Sequence, residues 1–161
     1  MKYYIDQSGK IEDTHRLTII AMANGKVHVL RISAVEKQKL IQVMKQLEYP
    51  RKNYIYKIFS GLIFTLVTKY KKISEIVIDK EYPGHDADIK LFLLQLYEKA
   101  KIIHPEIVFD YIGKKNQAHK SALDAYRGNI KPDVIVKTED LIRLFYPTKK
   151  GWRSRSSRDN P

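Results

Sequence analysis

The chain contains no cysteine. This absence excludes a disulfide framework, a thiolate zinc site and a cysteine nucleophile, and it fits a reducing cytoplasm, the compartment we expect. The sequence also lacks a run of about 18 consecutive apolar residues, the length that spans a bilayer, and it does not open with the apolar stretch of a signal peptide. We therefore expect a soluble protein with no membrane partner.

Acidic residues are scarce. There are 18 Asp and Glu against 30 Lys and Arg, a formal net charge of +12, and the segment from 49 to 74 contains no acid at all. Such an excess attracts a polyanion, because phosphates that are neutralised by Lys and Arg release their condensed counterions. Nucleic acid, DNA or RNA, is the expected partner, and a merely solvated cationic surface is the alternative.

The length and apolar content indicate one domain. The chain has 161 residues, of which 43% are hydrophobic, enough to bury a substantial core. We assign residues 1–146 to a single domain. From residue 147 to 161 the sequence is basic and has no apolar period, so we predict a disordered tail.

The apolar periodicity predicts alternating strands and helices. Strands are expected at 2–5, 16–23 and 26–32, with Asn24-Gly25 as a hairpin turn. Two helices follow at 33–49 and 54–70, then a strand at 75–78, a helix after Pro83-Gly84, a strand at 107–112, a helix at 117–126 and a helix from 138. The predicted fold is α/β, with a mixed five-stranded sheet of three antiparallel strands and then parallel strands, flanked by helices.

Carboxylates end two of the predicted strands. Asp6 follows the first strand and Asp79 the fourth, and a right-handed crossover makes these strands parallel, so that their carboxyl ends lie side by side. Neighbouring carboxylates repel each other, and a hard cation such as Mg²⁺ or Mn²⁺ stabilises them. Asp124, on a helix rich in small residues, is the predicted third ligand. Each acid has a structural alternative: a turn cap for a strand-ending Asp, and an ion pair with Lys120 for Asp124.

Further polar residues surround these positions. Glu81, two residues beyond Asp79, is either a metal ligand or a solvated turn residue. Asp86 is predicted to cap the helix that follows. His85 and His119 either assist proton transfer near a phosphate or serve as ordinary surface or capping side chains.

The element order resembles the ribonuclease H-like superfamily, whose acids lie on the first strand, at or after the fourth strand, and on the last helix. Asp6, Asp79 and Asp124 match those three places. The segment Tyr-Ile-Asp-Gln-Ser-Gly at residues 4–9 is also similar to the Tyr-Ile-Asp-Glu-Ser-Gly start of a large, poorly characterised branch of that superfamily. The resemblance covers residues 1–127, and it implies a nuclease fold with a metal-binding acid set.

Differences from the superfamily pattern indicate which branch of the superfamily the chain resembles. Ribonuclease H proper takes a further glutamate from its first core helix, whereas 49–74 contains no acid here. The RuvC-type Holliday-junction resolvase branch takes its second acid from the end of the fourth strand, and Leu123-Asp124-Ala125 is similar to the Asp-Ala element of its last helix. That branch usually has another acid three residues away, but 121 is Ser and 127 is Arg. The resemblance thus implies a resolvase-like or degenerate relative.

Basic residues are candidates for nucleic-acid contacts. Lys114 and Lys115 precede the last core helix at the expected edge of the sheet, and Lys120 lies on that helix. Phosphate contacts of this kind position a backbone without reading sequence. Three segments contribute the full predicted set: Lys114, Lys115 and Lys120; Arg51 and Lys52; and Trp152, Arg153 and Arg155 in the tail, where the indole could stack on a base.

These patterns favour a nuclease that hydrolyses phosphodiester bonds of DNA or RNA by a two-metal mechanism. Asp6 is predicted to bridge two Mg²⁺ or Mn²⁺ ions, which Asp79 and Asp124 help to hold. A second hypothesis is a non-catalytic nucleic-acid-binding protein with a degenerate ribonuclease H-like fold, since Gln7 replaces the family acid. A basic protein-interaction module is a third. A homodimer is compatible with each.

Overall fold

The computed structural model describes residues 1–47 and 53–147 and shows an α/β fold, a mixed six-stranded sheet flanked by five helices. The strands are β1 (Lys2–Ser8), β2 (Thr18–Ala23), β3 (Val27–Ile32), β4 (Glu75–Asp79), β5 (Glu106–Asp110) and β6 (Val134–Val136). The helices are α1 (Ala34–Leu47), α2 (Tyr54–Val67), α3 (Asp86–Ala100), α4 (Gln117–Tyr126) and α5 (Thr138–Phe145).

The strands lie in the order β5-β4-β1-β2-β3-β6. Strands β1, β2 and β3 pair antiparallel, whereas β4 runs parallel to β1 and β5 parallel to β4. The predicted parallel pairing of the first and fourth strands is therefore confirmed. Because β1 is central and β4 is its neighbour, the carboxyl ends of both strands meet at one edge of the sheet.

The predicted number of strands was wrong, because β6 adds a sixth strand parallel to β3. This strand has only three residues, too few to show an alternating pattern in the sequence. Its position depends on a distant contact. The backbone N–H of Asp133 donates to the Val29 carbonyl at 2.8 Å, and the Asp133 carboxylate accepts from the Val29 N–H at 2.7 Å.

The two faces of the sheet are covered unequally. On one face, Ile5, Ile20 and Leu30 belong to the main core, which includes side chains of α1, α2, α3 and α5. The other face carries a small cluster in which Ile19 and Ala21 pack against α4. Since neighbouring residues of a strand point to opposite faces, any side chain adjacent to a main-core residue at the end of β1 points toward α4.

Helix α2 is the most apolar helix, because it packs against the sheet, α3 and α5 together. It spans 14 residues. Within residues 1–47 and 53–147, no helix combines the length and apolar character needed to cross a membrane.

Several predicted contact residues lie outside the described part of the chain. They are Arg51, Lys52, Trp152, Arg153 and Arg155. The predicted tail falls there too, from residue 148 onward, so its disorder stays a prediction.

Candidate metal centre

The strand alternation directs two aspartates to the same side of the sheet. Ile5 and Ile78 are paired in register and buried in the main core, so the next residues, Asp6 and Asp79, point to the opposite face, where α4 packs. The two carboxylates therefore lie on neighbouring parallel strands at their carboxyl ends. Open α/β sheets bind their ligands at this position, just outside the carboxyl ends of the strands.

Glu81 joins these two aspartates. One carboxylate oxygen from each of Asp6, Asp79 and Glu81 lies within 4.8 Å of the others. A tight turn brings Glu81 back toward the strand, since its N–H donates to the Asp79 carbonyl at 2.8 Å. Three oxygen donors this close match the preference of Mg²⁺ and Mn²⁺ for carboxylates.

The pKa values of two carboxyl groups in the cluster are raised above their ordinary values. Burial, together with hydrogen bonds and charge repulsion from Asp6 and Asp79, raises the pKa of Glu81 to about 8. Burial, reinforced by the charge of Asp6, also raises the pKa of Asp79 above its ordinary value. The cluster is thus more stable when a proton or a cation neutralises part of its charge.

A histidine from α4 completes the surroundings of Asp6. The Nδ1 atom of His119 lies 2.7 Å from Asp6 Oδ2, and Asp6 Oδ1 accepts the Gln7 backbone N–H at 2.8 Å. Asp6 is only 2% exposed, so these contacts replace water around its carboxylate. An imidazole from a third element thus contacts one of the three carboxylates, that of Asp6.

The first turn of α4 is fixed at two points, which sets the position of His119. Asn116 caps the helix, its side-chain oxygen accepting the Ala118 N–H at 2.8 Å. The side chain of Gln117 holds the turn between β2 and β3, accepting the Gly25 N–H at 2.7 Å and donating to the Gly25 carbonyl at 3.3 Å. The imidazole is thus positioned by the hairpin as well as by its own helix.

The predicted third ligand, Asp124, lies on the predicted helix but outside this group of carboxylates. It lies on α4 with an exposed side chain, and it is not part of the carboxylate group formed by Asp6, Asp79 and Glu81. Five residues correspond to about 140° around a helix, so Asp124 and His119 flank the buried stripe of α4 on opposite sides. The side of the stripe that faces β1 and β4 carries His119.

The chain matches no known family model, and no curated protein is significantly similar to it.

Gln7 lies on the other face of β1 from the centre. Its amide forms hydrogen bonds with the hydroxyl of Tyr82 at 3.2 and 3.3 Å, and the Tyr82 ring packs edge-on against Tyr56 and Phe59 of α2. Having Gln at this position therefore takes no ligand away from the carboxylate cluster. It provides a neutral partner for a buried tyrosine.

Three of the predicted phosphate-binding lysines lie on the loop and helix that also contact the centre. The loop between β5 and α4 is held at one end by the Ile112 N–H, which donates to Asp79 Oδ1 at 3.0 Å, and at the other by the His119 contact with Asp6. Lys114 and Lys115 lie exposed on this loop, and Lys120 lies exposed next to His119. These lysines are therefore exposed to solvent on the elements that carry His119 and the Ile112 contact.

His85, Asp86 and Asp88 form a separate group at the start of α3. The Nδ1 atom of His85 lies 3.0 Å from Asp88 Oδ2, and its ring stacks on Tyr56. Asp86 was predicted to cap α3, but it is the first helical residue, and His85 occupies the N-cap position. The Asp86 carboxylate instead lies 3.8 Å from Lys80 Nζ.

The sequence left two interpretations of His119 open: a role in proton transfer near a phosphate, or an ordinary surface or capping side chain. A signal was present: Ala118, Ser121, Ala122 and Ala125 are small, recur at helical spacing, and are the buried face of α4. This stripe shows which face meets the sheet. It does not show which flank of the stripe faces the carboxylates, since His119 and Asp124 are symmetric about it.

Proposed function

We propose that this protein is a ribonuclease H-like nuclease that hydrolyses phosphodiester bonds of DNA or RNA with bound divalent metal ions. One observation carries the proposal: three carboxylates converge at the carboxyl ends of neighbouring parallel strands in a chain of net charge +12. The element order, with three antiparallel strands before the parallel ones, supports the likeness to that superfamily.

The residues fit Mg²⁺ or Mn²⁺. Asp6, Asp79 and Glu81 offer oxygen donors within 4.8 Å of one another, and the pKa of Glu81 is raised by its burial first and then by Asp6 and Asp79, whose charge a cation would compensate. Divalent ions bound here would lower the pKa of a water molecule and stabilise the leaving oxygen of the scissile phosphate.

Each residue of the centre then has a role that follows from its position. The buried Asp6 would hold the ions together with Asp79 and Glu81. Lys114, Lys115 and Lys120 would hold the phosphates on either side of the reacting one. The short connection from Asp79 to Glu81 keeps both carboxylates at one strand end.

Replacing single carboxylates tests the proposal. Asp6→Asn should abolish metal-dependent cleavage of a labelled oligonucleotide, a loss of at least about a thousandfold, because the variant keeps the shape of the side chain and removes its charge. Asp124→Asn is the matched control, since that carboxylate is exposed on α4 and outside the cluster. It should cleave at the wild-type rate.

Two results would contradict the assignment. Normal cleavage by a folded Asp6→Asn variant would remove the centre from the reaction, and a large loss in Asp124→Asn would show that the true ligand set differs from the cluster described above. Circular dichroism of both variants establishes that each is folded.

A non-catalytic nucleic-acid-binding protein is the second candidate. The observation that favours it is the contact between His119 and Asp6, because a protonated imidazole can neutralise this carboxylate without any ion. Calorimetry separates the two functions. Salt-sensitive binding of an oligonucleotide with no uptake of Mg²⁺ or Mn²⁺ would favour the binder.

A further inference from the structure

An exposed aromatic ring lies at the same strand ends as the carboxylate cluster. Tyr111 is 70% exposed, and it immediately follows the last residue of β5. We propose that the ring of Tyr111 stacks on an unpaired nucleobase, so that the substrate is a single-stranded stretch of DNA or RNA and not a continuous duplex. The inference rests on the proposed nucleic-acid substrate and specifies the class to which that substrate belongs.

The backbone on both sides of the ring is fixed to the strand ends. The N–H of Tyr111 donates to Asp110 Oδ1 at 2.8 Å, and the N–H of the next residue, Ile112, donates to Asp79 Oδ1 at 3.0 Å. Consecutive Cα atoms are about 3.8 Å apart, so the residue that carries the ring is one peptide unit away from a contact with the cluster. The position of the ring relative to the carboxylates is therefore set by the ends of β4 and β5.

The ring lies on the α3 side of these strand ends, across from α4. Lys80 Nζ lies over the ring, 5.4 Å from its centroid, and 3.8 Å from a carboxylate oxygen of Asp86, the first residue of α3. The carboxylates of Asp6 and Asp79 point to the other face, where α4 packs. A nucleic-acid strand that crosses the ends of β4 and β5 can thus place a phosphate at the carboxylates and a base on the ring.

The exposed ring and the charge of its loop fit an unpaired strand. The ammonium group of Lys80 lies over one face of the ring, which leaves the other face for a base, and every base has a π-face that can stack there. Lys114 and Lys115 follow on the same loop and are exposed, so cations for the neighbouring phosphates lie a few residues from the ring. An internal base of a duplex is paired and stacked, and it would have to be flipped out before it could reach the ring. The site therefore selects a strand whose bases are already free.

Binding measured without divalent ions tests the inference separately from cleavage. Fluorescence anisotropy compares the full chain with its Tyr111→Ala variant on a labelled single-stranded oligonucleotide and on the blunt duplex of the same sequence. Tyr111→Ala should weaken single-strand binding at least about fivefold, the effect of losing one base-stacking contact, and should leave duplex binding nearly unchanged. Tyr111→Phe keeps the ring and should bind both oligonucleotides like the wild type.

Ile103→Ala is the matched control for the loss of an exposed apolar side chain. Ile103 is 95% exposed and lies in the connection between α3 and β5, at the opposite end of the strands. This variant should keep the wild-type affinity for both oligonucleotides.

A strand without bases separates stacking from phosphate contacts. An abasic oligonucleotide of the same length keeps the phosphates and offers nothing to stack. The wild type should bind it at least about fivefold more weakly than the ordinary single strand, whereas Tyr111→Ala should bind the two strands equally. The wild-type comparison needs no substitution, so the inference can be tested even where a Tyr111 variant does not fold.

The outcomes distinguish this inference from the proposed function. Equal single-strand affinity of the wild type and Tyr111→Ala would overturn the stacking site and leave the metal-dependent nuclease intact. An equal loss on single strand and duplex, or a loss of the same size in Tyr111→Phe, would overturn the stacking site as well. Binding that depends on the Tyr111 ring in a protein that cleaves no nucleic acid would support the stacking site and contradict the nuclease. Failure to bind any of the oligonucleotides would overturn both.

Discussion

At the scale of single residues, Lys37 carries an ammonium group into the interior. Its Nζ atom donates to the carbonyls of Lys10 and Asp13, at 3.0 and 2.6 Å, and to Thr18 Oγ1 at 3.0 Å. These bonds tie the segment that follows β1 to the first turn of α1. Burial lowers the pKa of Lys37 to about 8, although the nearby Asp13 and Glu12 act in the opposite direction.

This pKa predicts a pH dependence of stability. The ordinary pKa is 10.5, so between about pH 8 and 10.5 the unfolded chain binds more protons at this residue than the folded protein does. The contribution of Lys37 to the free energy of unfolding should therefore rise with pH across that window, by on the order of 3 kcal/mol. Below about pH 8 both states are protonated and the contribution is constant.

Urea unfolding at a series of pH values measures this effect. The difference in unfolding free energy between wild type and Lys37→Met should grow between pH 8 and 10.5, because the variant lacks the titrating group. Lys39→Met, which alters an exposed lysine of the same helix, should follow the wild-type pH profile. Parallel curves for wild type and Lys37→Met would contradict the assigned pKa.

The strand-ending acids could be predicted at this scale because their signal is local. Asp6 and Asp79 each follow an apolar strand, and the parallel pairing brings them together. The contribution of α4 could not be predicted in the same way. Two polar residues flank its buried stripe, and the choice between His119 and Asp124 depends on how the helix is placed over β1 and β2.

At the scale of elements, α2 and α5 approach each other closely at Gly61. A Cβ atom added to Gly61 would overlap the ring of Phe145 and contact Leu141, both on α5. Glycine is thus required here by the packing of two helices, since the position is inside a helix and needs no unusual backbone conformation.

Gly61→Ala should destabilise the protein by about 1–3 kcal/mol, the usual cost of overpacking. This cost opposes the advantage of about 1 kcal/mol that alanine has over glycine in a helix, and the clash should dominate because the added Cβ would lie only 2.4 Å from the nearest ring atom of Phe145. Chemical denaturation measures the change in unfolding free energy.

A double-mutant cycle with Phe145→Leu provides the control. The smaller side chain should relieve the clash, so that the double variant is less destabilised than the two single changes predict together. Additive effects would show that Gly61 is needed for a reason other than contact with Phe145.

Elements with a long apolar period were predictable, and those held by distant contacts were not. The strands that form β1 to β5 and the helices from α1 to α5 appear in the sequence as periodic runs, with ends that coincide or differ by at most three residues. Strand β6 was not predicted, because a contact between residues distant in sequence, Asp133 and Val29, positions it.

At the scale of the whole molecule, the distribution of charge should direct nucleic acid to one edge. The double variant Lys114→Glu, Lys115→Glu changes the loop between β5 and α4, at the end of the sheet where the carboxylates lie. The control, Lys69→Glu with Lys71→Glu, makes the same change in net charge. Its two residues lie in the connection between α2 and β4, at the opposite end of the strands. Measured without divalent ions, so that no cleavage occurs, only the loop variant should show a large loss of affinity.

The salt dependence of binding reports how many phosphates the protein neutralises. Each neutralised phosphate contributes about 0.9 to the slope of log K against log salt for duplex DNA and about 0.7 for single strands. The loop variant should reduce this slope by the equivalent of roughly two phosphates, and the control should leave it nearly unchanged. Equal effects of the two variants would show that binding follows net charge alone, without a preferred edge.

The centre is assembled from distant parts of the chain, since Asp6 meets His119 across 113 residues. A ribosome releases β1 first, β4 only after α2 has been made, and α4 later still. A nascent chain therefore contains Asp6 long before it contains His119. The hydrogen bonds between Gly25 of the hairpin and Gln117 also cannot form until α4 has been made. On this order of synthesis, the three carboxylates are complete once residue 81 has been made, whereas the contact of the imidazole with Asp6 forms only when nearly the whole described domain has emerged.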